Sequence, residues 1–364
     1  MDLKLDEQQE LLKQSLDRYL EKTLPFDLRR EQKAQGGFVA FWKRLEAELG
    51  VAAAGIAERS GGFGGGAESE MIISAALGRA LAVTPYITCQ VLSANLLDSL
   101  GEHELALRIA AGELLVTTAI EEPQTRGDVR HIRMGAERDG TTWRLTGTKL
   151  VVDFTAEADL VLLPARADGG EFALFAVDPA TLGNALKPFA LIDDTPSADI
   201  VCQGFELAED ACLATGDAVL PALEAAVARA LAAICAEAWG IASVMVGDTV
   251  QYTKEREQFG VPISSFQALQ HRMVDMWSKA EEIKAASLLA ALKVDDPAAI
   301  SAAKTTVGDA LRLIGQEAVQ LHGAMGLTEE LRVGHYFKRA TVIENRLGTA
   351  ADHVERYRTL RQIG

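Results

Sequence analysis

The sequence predicts an α+β chain in three blocks, the first helical, the second antiparallel β and the third helical again. Three observations carry that expectation. Apolar residues recur at helical spacing through residues 1–112. Short β-branched and aromatic runs parted by turn residues fill 113–214. From 215 to 364 the helical interval returns in Ala-rich segments of high helix propensity. A length of 364 residues suffices for roughly two or three domains with substantial cores.

In the first block Leu11, Leu12, Leu16, Tyr19 and Leu20 form one helical face, and Phe38, Phe41, Trp42, Leu45 and Leu49 form another. A glycine-rich stretch follows at 55–69. No Lys-Ser/Thr comes after it and no strand before it, so it is read as a flexible connector, not a phosphate loop. Helical patterns resume over Met71–Leu81, Val91–Leu100 and Glu104–Ala111. The texture changes at Leu114 with LLVTTAI, and Asp139-Gly140 between alternating segments signals a hairpin. The runs at 159–166, 172–177 and 198–207 complete the β block. Farther on, Ile241, Val244, Met245 and Tyr252 mark a buried helix that Gly260 and Pro262 are expected to end. Ser264-Ser265-Phe266-Gln267 fits a capping box that opens a second helix, with the apolar stripe Phe266, Leu269, Met273, Met276 and Trp277.

A net charge of −16 argues against nucleic acid and anionic membranes as partners, since both need basic patches. No run approaches the ~20 apolar residues of a membrane span, and the charged, amphipathic N-terminus is neither signal peptide nor anchor. Cys89, Cys202, Cys212 and Cys235 are scattered without metal spacing, which suits reduced thiols in a cytoplasm. His271 and His322 are read as buried or hydrogen-bonded histidines, and no metal site is expected.

Two stretches point to chemistry. Arg256, Gln258, Phe259 and Gln267 cluster at the corner between two long helices. An Arg fork and free N–H groups at a helix start suit an anion or the edge of a cofactor. The second stretch is QEAVQLHGAMG at 316–326, with HYFKRA at 335–340. The pattern R-x-x-F-G-x-P-I-x-x-x-Q at Arg256, Phe259, Gly260, Pro262, Ile263 and Gln267 resembles the acyl-CoA dehydrogenase family. Gln320, Gly323 and Gly326 are similar to that family's Gln-x-x-Gly-x-x-Gly element, where glycine lets the backbone approach a cofactor.

The resemblance implies an N-terminal helical domain (1–112), a middle antiparallel β-barrel-like domain (113–214) and a C-terminal four-helix bundle (215–364). It implies FAD-dependent α,β-dehydrogenation of an acyl-CoA thioester, in which a carboxylate takes the alpha proton and flavin N5 takes the beta hydride. It further implies FAD shared across a subunit interface. One chain's β domain would hold the ring, and its neighbour's Arg256, Phe259, Gln267, Gln320 and Gly323 would hold the pyrophosphate and adenine end.

The departures are selective. The family's usual Glu before Gly-Thr is Leu347 here, and the alternative base position near Ala230–Leu231 has no carboxylate either. The family's Thr-Glu-Pro-x-x-Gly-Ser-Asp reads Glu121-Glu122-Pro123-Gln124-Thr125-Arg126-Gly127-Asp128, with Glu121 and Arg126 where small neutral groups would pack. Its Trp-Ile-Thr run reads Val151-Val152-Asp153, and an Asp facing a reduced flavin is unfavourable. The expectation is a subunit of a heteromeric α2β2 acyl-CoA dehydrogenase, similar to those of bacterial steroid side-chain and dicarboxylic acid breakdown. A homologous partner would carry the catalytic Glu and most of the acyl-CoA pocket. Two alternatives stand beside it. One is a homomeric enzyme with its base relocated to Glu344, a residue that Arg339 or Arg346 is otherwise placed to pair with. The other is a flavin-free scaffold.

Overall fold

The computed structural model describes residues 5–27 and 37–362. Its first helices are α1 (Glu7–Thr23), α2 (Gly37–Leu49) and α3 (Gly66–Arg79). A π-helical stretch at Ile87–Ser93 runs into α4 (Ala94–Ser99), and α5 (His103–Ala110) follows. The strands are β1 (Val116–Thr118), β2 (Gly135–Asp139), β3 (Thr142–Asp153), β4 (Leu160–Ala167), β5 (Phe172–Val177), β6 (Leu186–Ala190), β7 (Pro196–Ala208) and β8 (Cys212–Thr215). Helices α6 (Val219–Glu255), α7 (Gln267–Leu292), α8 (Pro297–His322), α9 (Arg332–Asn345) and α10 (Ala350–Arg361) complete the order. The described residues fall in two compact units. A helical unit takes Met1–Gln35, Met71–Val83 and Leu231–Gly364, and a sheet-bearing unit takes Gly36–Glu70 and Thr84–Ala230. These are cut differently from the three sequence blocks, because α3 and α6 each contribute residues to both.

In the sheet-bearing unit the strand order is β6-β7-β3-β2-β4-β5-β8, with β1 pairing β4 off that path. The β1–β4 and β2–β4 pairs are parallel and the other pairs of this sheet antiparallel. The middle β domain is as expected, with a sheet that is barrel-like only loosely, since it does not close into a barrel. Its β6 edge is exposed and carries Lys187 and Pro188, residues that blunt an edge against further pairing. The core is built from alternate residues of facing strands, among them Met134, Trp143, Leu145, Val161, Leu163, Phe175 and Ile200. Trp143 meets Phe175 edge-on at 5.3 Å. The predicted Asp139-Gly140 hairpin joins β2 to β3, with Asp139 opposite Thr142.

The glycine-rich stretch is folded, contrary to the connector expectation. Gly62, Phe63, Gly64 and Gly65 donate backbone bonds of 2.9–3.1 Å to Ala57, Ala53, Ile56 and Ala54. A Cβ on Gly62 would lie 2.0 Å from the Ile56 carbonyl oxygen, so only glycine closes this loop.

In the helical unit α8 packs against α7, α9 and α10. At one helix crossing, a Cβ on Gly78 would meet the Glu237 carbonyl oxygen and one on Gly240 that of Ala75, each at 2.2 Å. Helix α6 has an 18-residue window of mean hydropathy 1.8, enough for a span by length and composition, which corrects the expectation that no such run exists. That window is 67% buried inside the protein, as in a core helix.

Candidate functional site

In the helical unit α6 ends at Glu255, earlier than Gly260 suggested. A two-residue hairpin follows, with Glu257–Gln258 paired to Val261–Pro262. Phe259 and Gly260 form its turn with φ of 57° and 79°, both positive as a type I′ turn requires. Phe259 is 92% exposed and touches Phe266 edge-on at 6.2 Å. Arg256 is exposed and makes no ion pair among the described residues, although Glu255 and Glu257 flank it. Its N–H donates to the Tyr252 carbonyl and its own carbonyl accepts from Ile263, each at 2.8 Å.

The capping box is absent. Helix α7 starts at Gln267 behind Phe266, whose hydrocarbon ring has no acceptor with which to cap it, while Ser265 Oγ donates back to the Pro262 carbonyl at 2.7 Å. An uncapped helix start carries a partial positive charge and free N–H groups. Of the predicted stripe, Met276 is buried while Phe266 and Trp277 are 38% and 58% exposed, so that face of α7 is only partly core.

Gln320 and Gly323 lie exposed at the end of α8. Gly323 adopts φ 61° and ψ −143°, a region that excludes side chains. Gly326 is different: it is buried and packed on Val319, where a Cβ would sit 2.8 Å from the carbonyl oxygen, so helix packing explains it. The two motif stretches meet through a stack. The Tyr252 and His322 rings lie 4.3 Å apart at 27°, and Tyr252 Oη donates to the His322 carbonyl at 3.3 Å. Arg256, Phe259 and Gln267 thus border one turn, and Gln320 and Gly323 are tied to it through that contact.

The corner at Leu347 is held from inside. Leu347 is 9% exposed with φ 52°, and Gly348 follows with φ 94°. Buried Lys304 donates to the carbonyls of Ile343, Glu344 and Gly348 at 3.2, 2.9 and 2.9 Å, and burial lowers its pKa to about 8. His353 Nε2 lies 2.8 Å from the Leu347 carbonyl oxygen, and burial lowers its pKa to about 4. Glu344 pairs with Arg312, whose Nε is 2.9 Å from Oε1, and not with Arg339 or Arg346. Arg339 is bound to Glu237 at 2.7 Å.

In the sheet-bearing unit Arg126 is exposed with φ 45°, followed by Gly127 at 78°. Glu122 accepts from the Arg133 and Met134 N–H groups and pairs with buried Lys149 at 2.7 Å. Val151 sits in a bulge of β3 with φ 50° and is 44% exposed. Asp153 is buried and accepts from Ser197 Oγ at 2.7 Å, so the unfavourable outward-facing Asp does not arise. Ala230 and Leu231 are fully buried. Beside them in sequence, Arg229 grips buried Glu70 at 2.7 and 3.0 Å, and burial raises the Glu70 pKa to about 7. Glu70, Lys304 and the Tyr252–His322 stack were not foreseen. The only signal for Lys304 was a lone cation in the Ala-rich run SAAKTTVGDAL.

Among the described residues eight non-glycine residues have positive φ, and four of them, Arg126, Val151, Phe259 and Leu347, fall in motif stretches. Such conformations cost about 1–3 kcal/mol each and gather at functional sites.

Residues 6–111 match the profile "Acyl-CoA dehydrogenase, N-terminal domain" and residues 222–356 the profile "Acyl-CoA dehydrogenase, C-terminal domain". Acyl-CoA dehydrogenase IpdE2 of Mycolicibacterium smegmatis is 28% identical over 97% of this chain and 98% of its own. A chain of the ChsE4-ChsE5 complex from Mycobacterium tuberculosis superposes with a TM-score of 0.89 at 24% identity, covering 100% of both. A Tcur3481-Tcur3483 steroid ACAD variant gives 0.86 at 25% identity over 98% of each chain. The chain belongs to the acyl-CoA dehydrogenase family, oxidoreductases that act on acyl-CoA thioesters.

Proposed function

We propose that this chain is one subunit of a heteromeric α2β2 acyl-CoA dehydrogenase and holds the pyrophosphate and adenine end of a FAD whose ring a homologous partner seats. The carrying observation is a contrast within the chain. Among the described residues Arg256 has no ion pair, the α7 start is uncapped and Phe259 projects from the hairpin. These groups suit a diphosphate and a flat ring. Gln267, Gln320 and Gly323 would border the same cofactor end. At the ring-side motif stands Arg126, a bulky cation in a glycine-like turn, and at the base position stands Leu347, which accepts no proton. The fit is therefore to the far end of the dinucleotide and not to its ring.

When bound, FAD supplies the hydride acceptor. This chain's residues bind and orient the dinucleotide, while the partner supplies the base and most of the acyl pocket. Arg312 bound to Glu344 supports a structural role for that carboxylate, as one half of an ion pair between helices. The named pairs ChsE4-ChsE5 and Tcur3481-Tcur3483 support assembly from unlike chains, and the latter's steroid label supports a bulky, steroid-like acyl thioester as substrate. Four free cysteines suit the cytoplasm.

Expression alone and together with a homologous chain that carries the catalytic Glu tests the proposal. The chain alone is expected colourless, the pair yellow, and Arg256→Ala is expected to lower the flavin retained by the pair. Full flavin retention by the Arg256→Ala pair, or a yellow, active single chain, contradicts it.

A further inference from the structure

We propose that Tyr252 and His322 form a latch that positions the cofactor-binding surface, an inference that rests on the dinucleotide-grip reading above. Both residues stand where the chain leaves a helix. Arg256 hangs its backbone N–H on the Tyr252 carbonyl at 2.8 Å, one turn before the hairpin begins. His322 directly precedes Gly323, whose backbone turns the chain out of α8. The stacked rings and the 3.3 Å hydrogen bond join these exits across 70 residues of sequence. His322 is itself fixed, 6% exposed with Nδ1 2.8 Å from the Ala318 carbonyl oxygen, so the stack has one rigid partner. Thr253 Oγ1, 3.2 Å from Met273 Sδ, ties the same end of α6 to α7.

Helix ends open more readily than helix middles, and a surface that must order on binding loses affinity. The latch removes that loss by holding Arg256 and Gly323 in place before the cofactor arrives. Tyr252 and His322 are positioning residues, acting through their neighbours.

The test is titration of ADP, the pyrophosphate-adenine half of the cofactor, into the full-length chain by calorimetry. Hydrogen exchange of the amides at 256–267 and the melting temperature are measured alongside. A stacked aromatic pair is worth ~0.5–1.5 kcal/mol, so Tyr252→Leu is expected to weaken ADP binding by up to roughly tenfold. It is also expected to speed hairpin exchange while leaving the melting temperature close to wild type. Tyr252→Phe keeps the stack and is expected to restore binding and slow exchange. Where Tyr252→Leu fails to fold, His322→Asn removes the ring from the other side. Wild-type affinity and exchange in Tyr252→Leu, with binding lost in Arg256→Ala, overturn the latch and leave the grip intact. Wild-type affinity in Arg256→Ala overturns the grip, and the latch with it.

Discussion

Lys304 shows how a single buried residue shapes the corner where the family's base would stand. All three of its N–H donors go to carbonyls around Leu347, and no carboxylate among the described residues pairs with it. Burial brings its pKa from the ordinary 10.5 to about 8. Between those values the unfolded chain holds a proton that the folded chain has lost, so stability rises with pH across that window and is flat below it. The neighbouring Cys235 thiol, raised by burial from 9.0 to about 12, ionises only in the unfolded chain over the upper part of this window and lowers stability there. The Lys304 contribution is therefore read as a difference between wild type and Lys304→Met. Urea unfolding at a series of pH values is expected to show wild type gaining up to about 3 kcal/mol on Lys304→Met between these limits. A falling difference over the same range contradicts the assignment. Leu347 and Val151 carry a related lesson. Both keep left-handed backbone with side chains that disfavour it, so the surrounding structure holds each turn against its local preference.

At the scale of elements, the crossing at Gly78 and Gly240 depends on bare backbone. Gly240→Ala places a methyl 2.2 Å from the Ala75 carbonyl oxygen and 2.7 Å from the Arg79 nitrogen, an overlap expected to cost about 1–3 kcal/mol. Gly247→Ala on the same helix meets nothing within 4 Å and is expected to gain about 1 kcal/mol from helix propensity. Chemical denaturation of the two variants checks both, and equal effects would rule out the crossing as the cause. Helices α3, α4 and α5 and the Asp139-Gly140 hairpin were legible because each carries its periodicity or turn chemistry locally. The hairpin at 257–262 was not, since two-residue strands leave no alternation to read and Gly260 looked like a helix stop. Trp277 fitted a core stripe by spacing alone, yet spacing does not reveal whether anything covers it. The folded glycine loop depends on Ile56 meeting Gly62, and the site's internal supports are contacts between distant residues. Lys304 reaches Gly348 and Tyr252 reaches His322. The motif positions were readable; what holds them was not.

At the scale of the molecule, the chain as proposed would combine a dinucleotide grip, with Arg256 in no ion pair among the described residues, with a ring site and a base position whose side chains would not suit those tasks. Under the proposal an enzyme of unlike chains would resolve that mismatch, because each flavin would then need one surface from each kind of chain. A net charge of −16 would be no obstacle under the proposal, since only a local cationic group such as Arg256 would have to meet the diphosphate. Native mass spectrometry of the complex formed with a homologous, Glu-bearing chain counts the cofactor directly. The expected result is one FAD for each pair of unlike chains, and none on this chain alone. One FAD for every chain, or a FAD-loaded homo-oligomer of this chain, would contradict the account.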